Sequence, residues 1–197
     1  MKITNSHKNG MSTDLSKNAK IILFFIMTTM GVTVFSAEPI LRIAVASNFL
    51  YTATKLVDKY QQSSISQIEL ISGSTGKLFA KINRGAPYDI FFAADELRPK
   101  LLSESKAEHG QLPYVYAVGI LVFWAPDLPA HHEKCNEELL SMPFTHIAIA
   151  NTKTAPYGYA GIKTLQKLGK LQSIKDKLVF GENVGQVLSY LVTGAVE

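Results

Sequence analysis

Short apolar segments alternate with amphipathic segments along the chain after residue 37, and this alternation limits the fold more than any other feature. Parallel strands need a crossover connection, usually a helix, so such alternation is typical of α/β proteins. We therefore predict mainly parallel sheets flanked by helices. The predicted strands cover residues 40–46, 67–72, 88–93, 117–124, 146–150 and 178–180.

The predicted helices lie between these strands. The apolar face of the first has helical spacing and consists of Phe49, Leu50, Ala53, Leu56, Val57 and Tyr60. The second carries Leu78, Phe79 and Ile82 on one face and ends near Gly85. Further helices are predicted over 95–102, 160–168 and 184–192.

The first residues have the pattern of an export signal. Lys17 and Lys20 precede the apolar run 21–30, and the small residues Ser36 and Ala37 follow it. The run is too short to span a bilayer comfortably, and this order of segments is typical of a signal peptide. We predict a signal peptide over 1–36, with cleavage after Ser36 or, as the next choice, after Ala37. A retained membrane anchor is the alternative.

Charge argues against a nucleic-acid partner. The chain has 20 Lys and Arg against 16 Asp and Glu, which gives a net charge of +4. Most of this excess lies in the predicted signal peptide, and the remainder is nearly neutral. Nucleic-acid binding requires a concentrated basic surface, so we predict none.

The single cysteine, Cys135, cannot form a disulfide within this sequence. It lies in the segment His131-His132-Glu133-Lys134-Cys135, which superficially resembles a metal site. The segment lacks the paired Cys or His spacing of structural zinc sites, and prolines precede it. We interpret it as a surface loop.

Small, hydroxyl and glycine residues follow the strands at several strand-to-helix junctions. In α/β proteins ligands bind outside the carboxyl ends of the strands, where helix N-termini present backbone N–H groups. The junctions are Ala46-Ser47-Asn48, Ser72-Gly73-Ser74-Thr75-Gly76, Ala155-Pro156-Tyr157-Gly158 and Glu182-Asn183-Val184-Gly185. Together they predict an anion site. The alternative is that Ser47, Asn48, Ser74, Thr75 and Asn183 are only N-caps.

Enzymatic motifs are not found. The run from Ser72 to Lys77 lacks the first glycine of a P-loop and the hydroxyl that follows its lysine, so Lys77 is expected to be solvated. No nucleophile elbow or zinc-protease motif occurs. Asp89 and Asp95 are candidates for paired carboxylates, but the first lies in an apolar strand and the second is interpreted as a helix cap. We predict that the protein is not an enzyme.

Four ordered motifs make the chain similar to a known family. They are Ala44-Val45-Ala46-Ser47-Asn48-Phe49, Gly73-Ser74-Thr75-Gly76-Lys77-Leu78, the run from Gly85 to Asp95, and Ala155-Pro156-Tyr157-Gly158-Tyr159-Ala160-Gly161. From about Leu41 onward the chain resembles the ModA family, the periplasmic molybdate-binding proteins of bacterial ABC transporters. The resemblance implies a two-lobed periplasmic binding protein of type II that delivers molybdate or tungstate to a permease in the inner membrane.

The resemblance also implies the ligand set. The oxyanion would be held by neutral donors: Ser47 and Asn48, Ser74 and Thr75 with Thr75 favoured, and the backbone N–H groups of Tyr157 and Val184. Molybdenum would be bound only as molybdate, with no direct metal ligand and no cofactor. We expect a monomer in the periplasm. Another oxyanion, sulfate or phosphate, and an exported hydrolase remain as alternatives.

The resemblance implies where the lobes lie. Residues 37–116 would form the first lobe and residues 117–197 the second. Family members normally continue with a segment that completes both lobes, so the sequence is expected to be C-terminally truncated. We expect this truncation to weaken both stability and binding.

Overall fold

A computed structural model describes residues 39–105, 112–125 and 143–197 of the chain. The predicted signal peptide over 1–36 and the segment around Cys135 lie outside the described residues. Glu38–Glu197 form one compact unit. This unit contains two parallel sheets.

The first sheet has the strand order β2-β1-β3. Its strands are β1 (Leu41–Ala46), β2 (Ile68–Gly73) and β3 (Ile90–Phe92), and β1 pairs in parallel with both neighbours. Residues 43–46 of the central strand are buried. A central parallel strand is covered on both faces, which is why residues 43–46 are all apolar.

Helices follow each strand of the first sheet. A 3₁₀ turn (Ser47–Phe49) leads into α1 (Leu50–Gln61), β2 is followed by α2 (Thr75–Asn83), and β3 by α3 (Leu97–Ser105). Leu78 and Ile82 of α2 pack with Ala44 of β1 in one buried cluster. The packing of α2 on β1 fixes the start of this helix at the end of the sheet.

The second sheet pairs β4 (Ile147–Ala150) in parallel with β5 (Leu178–Gly181). Between them lie α4 (Pro156–Lys167), the short α5 (Leu171–Ile174) and a 3₁₀ turn (Lys175–Lys177). The last helix, α6 (Val184–Val192), follows β5 and packs on both strands. Ile147, Leu165 and Ile174 form the buried cluster of this half.

The strand predicted over residues 117–124 is wrong. Residues 112–125 form neither helix nor strand, and their apolar side chains are mostly exposed, with Val118 at 86%. A strand requires hydrogen bonds to a neighbour, and no strand of the described chain pairs with this segment. An apolar run alone therefore did not determine the conformation.

Smaller differences concern the helices. Leu56 and Tyr60, predicted to lie on the buried face of α1, are exposed, whereas Ala53 is buried. Helix α4 begins at Pro156, earlier than the predicted residue 160, because proline is favoured in the first helical turn. Within the described ranges no helix is long and apolar enough to cross a membrane.

Truncation of Leu78 should destabilise the fold strongly. Leu78 is 1% exposed, and Leu78→Ala leaves a cavity between α2 and β1. We expect a loss of about 2–5 kcal/mol in the free energy of unfolding, measured by urea denaturation. Leu97→Ala, at an exposed leucine, is the control and should cost much less. Equal losses for the two variants would contradict this assignment of the core.

Candidate functional site

The loops at the carboxyl ends of both sheets meet at one cavity. In each sheet the strands are parallel, so their carboxyl ends lie at one edge. The cavity is lined by Ala46, Ser47, Asn48, Gly73, Ser74, Thr75, Ala94, Ala155, Pro156, Tyr157 and Val184. This set includes every residue that the resemblance assigns to the ligand: Ser47, Asn48, Ser74, Thr75, Tyr157 and Val184.

The cavity is small and its lining is uncharged. Its volume, counted together with its opening to solvent, is about 180 Å³. Among the residues that the structure describes, no Lys, Arg, Asp or Glu belongs to the lining. The cavity therefore suits a small ligand that is held by neutral groups.

Of the five junction residues proposed as N-caps, only Asn183 acts as a side-chain cap. Asn183 accepts a hydrogen bond from the Gln186 N–H at the start of α6, so its interpretation as an N-cap is confirmed. Ser74 occupies the N-cap position of α2, but its side chain makes no capping hydrogen bond. The capping interpretation therefore does not account for Ser74.

The hydroxyl groups of Ser74 and Thr75 have different environments. Thr75 is fully buried, and its Oγ1 accepts a hydrogen bond of 3.0 Å from the Ala94 N–H. Ser74 is 2% exposed, and its Oγ has no hydrogen-bond partner in the part of the chain that the structure describes. An unpaired buried hydroxyl costs free energy. The hydroxyl lies in the cavity lining, so a bound ligand that accepts a hydrogen bond from it would remove that cost.

Three helices begin at the cavity. Thr75 is the first residue of α2, Tyr157 lies in the first turn of α4, and Val184 is the first residue of α6. Backbone N–H groups in a first helical turn have no acceptor within the helix, and the helix dipole places partial positive charge there. The arrangement favours an anion without any cationic side chain.

A direct backbone contact brings the two sheets together beside the cavity. The Gly76 N–H in α2 donates to the Thr154 carbonyl oxygen in the loop before α4, at 2.8 Å. The side chain of Asn151 shapes this loop by accepting from the Lys153 N–H at 2.9 Å and the Thr154 N–H at 3.2 Å. A Cβ at Gly76 would lie 2.9 Å from the Thr154 oxygen, so only glycine fits there without displacement.

The charged residues near these junctions pair with one another outside the lining. Lys77 is 48% exposed, as expected of a lysine on the helix surface, and it also donates to the Glu182 carboxylate, a partner that the sequence did not predict. Asp95 accepts from the Arg98 N–H at 2.9 Å, as expected of a cap. Asp89 accepts from the Arg42 N–H at 2.7 Å. Each carboxylate thus has a structural partner.

An aromatic cluster that sequence reasoning missed includes Phe49, which is next in sequence to a residue of the cavity lining. The ring centroids of Phe49, Phe92 and Tyr116 lie 5.0–5.5 Å apart, and the Tyr116 hydroxyl donates to the Ala93 carbonyl at 2.9 Å. Burial raises the pKa of Tyr116, and the neighbouring Tyr157 raises it further, so the phenol stays protonated as a donor.

Metal coordination by side chains is not supported. Among the described residues, no group of three or more His, Cys, Asp or Glu side chains could hold a metal ion. The segment His131 to Cys135 lies outside the described residues. The described lining offers hydroxyl, amide and backbone N–H groups instead.

A family model and two similar sequences that match this chain belong to solute-binding proteins. Residues 41–197 match the family model described as bacterial extracellular solute-binding protein. The chain is 33% identical over 156 residues to the molybdate-binding protein ModA of Azotobacter vinelandii, which covers 79% of this chain and 62% of that protein. It is 33% identical over 165 residues to ModA of Rhodobacter capsulatus, with coverages of 84% and 65%.

A solved structure shares the fold. The periplasmic molybdate-binding protein of Azotobacter vinelandii aligns with a TM-score of 0.62 at 29% identity, over 79% of this chain and 68% of that one. This match confirms the predicted resemblance and the α/β periplasmic binding protein fold. The chain spans 62% and 65% of the length of the two relatives that it matches in sequence.

Close packing of Gly158 should be essential for the position of α4. A Cβ at Gly158 would lie 2.1 Å from the Ala150 carbonyl oxygen, at the end of β4, whereas one at Gly161 would meet nothing nearer than 3.9 Å. We expect Gly158→Ala to lower the melting temperature by several degrees, measured by circular dichroism. Gly161→Ala, in the same helix, should be neutral or slightly stabilising because alanine favours helix. The reverse order of the two melting temperatures would refute this packing.

Proposed function

The chain belongs to the bacterial extracellular solute-binding protein family, and from this premise we propose that it binds molybdate or tungstate in the cavity between its two sheets. The similarity to two molybdate-binding proteins supports this choice of ligand. The observation that carries the proposal is the buried hydroxyl of Ser74, which lines the cavity without a partner. An oxyanion in the cavity would accept a hydrogen bond from this hydroxyl.

The neutral lining supports a fully deprotonated anion. Molybdate, tungstate and sulfate carry no proton at neutral pH, whereas phosphate does and needs an acceptor for it. The described lining contains no carboxylate, the strongest acceptor for such a proton, and its hydroxyl and backbone N–H groups can all donate to a fully deprotonated anion. Phosphate is therefore disfavoured. Sulfate is the closest competitor, and similarity to molybdate-binding relatives favours the larger ions over it.

Six of the lining residues have a proposed role in holding the anion. The hydroxyl of Ser74 and the backbone N–H of Thr75 would donate from the start of α2, and Thr75 Oγ1 keeps its own proton to donate while it accepts from Ala94. Ser47 and Asn48 would donate from the end of β1. The backbone N–H groups of Tyr157 and Val184 would donate from the starts of α4 and α6.

The wider biological role is part of the same proposal. The protein would act as a monomer in the periplasm, deliver the anion to an ABC permease, and need no cofactor. A hydrolytic role is disfavoured because Asp89 and Asp95, the carboxylates considered for it, are bonded to the backbone N–H groups of Arg42 and Arg98.

Oxyanion binding should appear as thermal stabilisation. We expect molybdate and tungstate to raise the melting temperature of the purified protein, sulfate to do so less, and phosphate hardly at all. A ligand at about 100-fold over its Kd adds roughly 2.7 kcal/mol to the free energy of unfolding. Sodium chloride at matched ionic strength is the control. No shift with any oxyanion, or a larger shift with phosphate, would overturn the proposal.

Substitutions at Ser74 and Thr75 should affect molybdate binding and the stability of the ligand-free protein differently. Ser74→Ala removes a hydroxyl with no protein partner, so we expect weaker molybdate binding by isothermal titration and an unchanged or higher stability of the ligand-free protein. Thr75→Val leaves the buried Ala94 N–H unpaired, so it should destabilise the ligand-free protein by about 1–3 kcal/mol. Unchanged molybdate affinity in Ser74→Ala would remove Ser74 from the ligand set.

A further inference from the structure

An ion pair joins the two halves of the protein at the edge of the cavity. Lys77 lies in the first turn of α2, two residues after Thr75. Glu182 lies between β5 and α6, two residues before Val184. Lys77 Nζ donates to Glu182 Oε1, and neither residue belongs to the lining of the cavity. The pair therefore connects two ligand-facing junctions without facing the ligand.

Two further contacts connect the halves on the same side of α2. The Gly76 N–H donates to the Thr154 carbonyl at 2.8 Å, and Arg98 Nη2 donates to the Lys153 carbonyl at 3.0 Å. Asp95 Oδ2 accepts a hydrogen bond from Nη1 of the same Arg98 guanidinium. The contacts made by Gly76 and by Arg98 Nη2 run from the helices of the first sheet to the loop before α4 in the second half.

We propose that Lys77, Glu182 and the Gly76–Thr154 hydrogen bond form a clasp that holds the cavity closed over its anion and slows the anion's release. This inference rests on the proposed function and assigns a role to residues that do not touch the ligand. An anion that contacts both sets of junctions stabilises the arrangement in which the clasp forms. By linkage, the clasp then raises the affinity for the anion by the same factor by which the bound anion favours formation of the clasp.

The clasp acts mainly on the dissociation rate. Its contacts join the two junctions between which the anion would lie, so they would have to break before the anion leaves. Changes at such contacts alter the dissociation rate more than the association rate. The side chains of Lys77 and Glu182 are 48% and 52% exposed, so salt should screen their attraction and the effect should be modest.

Glycine at position 76 is required for the clasp to close. A Cβ there would lie 2.9 Å from the oxygen and 3.0 Å from the Cα of Thr154. Both are backbone atoms, which cannot rotate away as a side chain can. A methyl group at this position would act as a wedge between α2 and the loop before α4.

The test measures release of radiolabelled molybdate from the full chain after addition of excess unlabelled molybdate. We expect Glu182→Gln to increase the dissociation rate about two- to fivefold at low salt. High salt should increase the wild-type rate and leave that of Glu182→Gln nearly unchanged. Lys77→Gln should have the same effect, and the double variant should be no faster than either single one. Gly76→Ala should increase the rate by about tenfold or more.

The matched control is Glu69→Gln. Glu69 pairs with Arg42 at 3.2 Å with side chains 54% and 42% exposed, but both residues lie within the first sheet. Its dissociation rate should equal that of the wild type. Equal rates for Glu182→Gln and wild type, or additive effects in the double variant, would overturn the clasp while leaving the proposed function intact. Failure of the wild-type protein to bind molybdate would overturn both.

Discussion

The hydrogen bond from the Gly76 N–H to the Thr154 carbonyl is the contact on which the rest of the site depends. It places the start of α2 beside the loop that begins α4, so donors from two separate sheets face one cavity. Buried packing of Leu78 holds α2 on one side, and Gly158 holds α4 close to the end of β4 on the other. Both helices are thereby fixed with their N-termini directed at the same small space, before any ligand contributes.

Backbone and hydroxyl donors give such a site a selectivity that a cationic site lacks. A lysine or arginine attracts every anion, whereas fixed N–H and O–H groups favour a ligand that accepts from all of them and donates nothing. The pairing of Lys77 with Glu182 serves the same end, because the nearby cation is neutralised outside the lining. The unpaired hydroxyl of Ser74 is a cost that the fold retains at the place where an oxyanion would remove it.

Much of this arrangement could be predicted from the sequence, because strand-to-helix junctions in a parallel sheet must lie at one edge. The gathering of Ser47, Ser74, Tyr157 and Val184 followed from that rule together with the family resemblance. Three structural features could not be predicted from the sequence. Whether Ser74 is a cap depends on hydrogen-bond geometry, the partner of Lys77 is 105 positions away, and the conformation of 117–124 depends on a neighbouring strand rather than on its apolar residues.

A crystal structure of the protein grown with tungstate would show directly whether the cavity holds the anion. Anomalous scattering from tungsten would locate the tungstate. We expect one strong anomalous peak in the cavity, with tungstate oxygens within hydrogen-bonding distance of Ser74 Oγ and of the backbone N–H groups of Thr75 and Val184. A peak elsewhere on the protein, no peak at saturating tungstate, or an anion held by lysine or arginine side chains would contradict the proposed anion site.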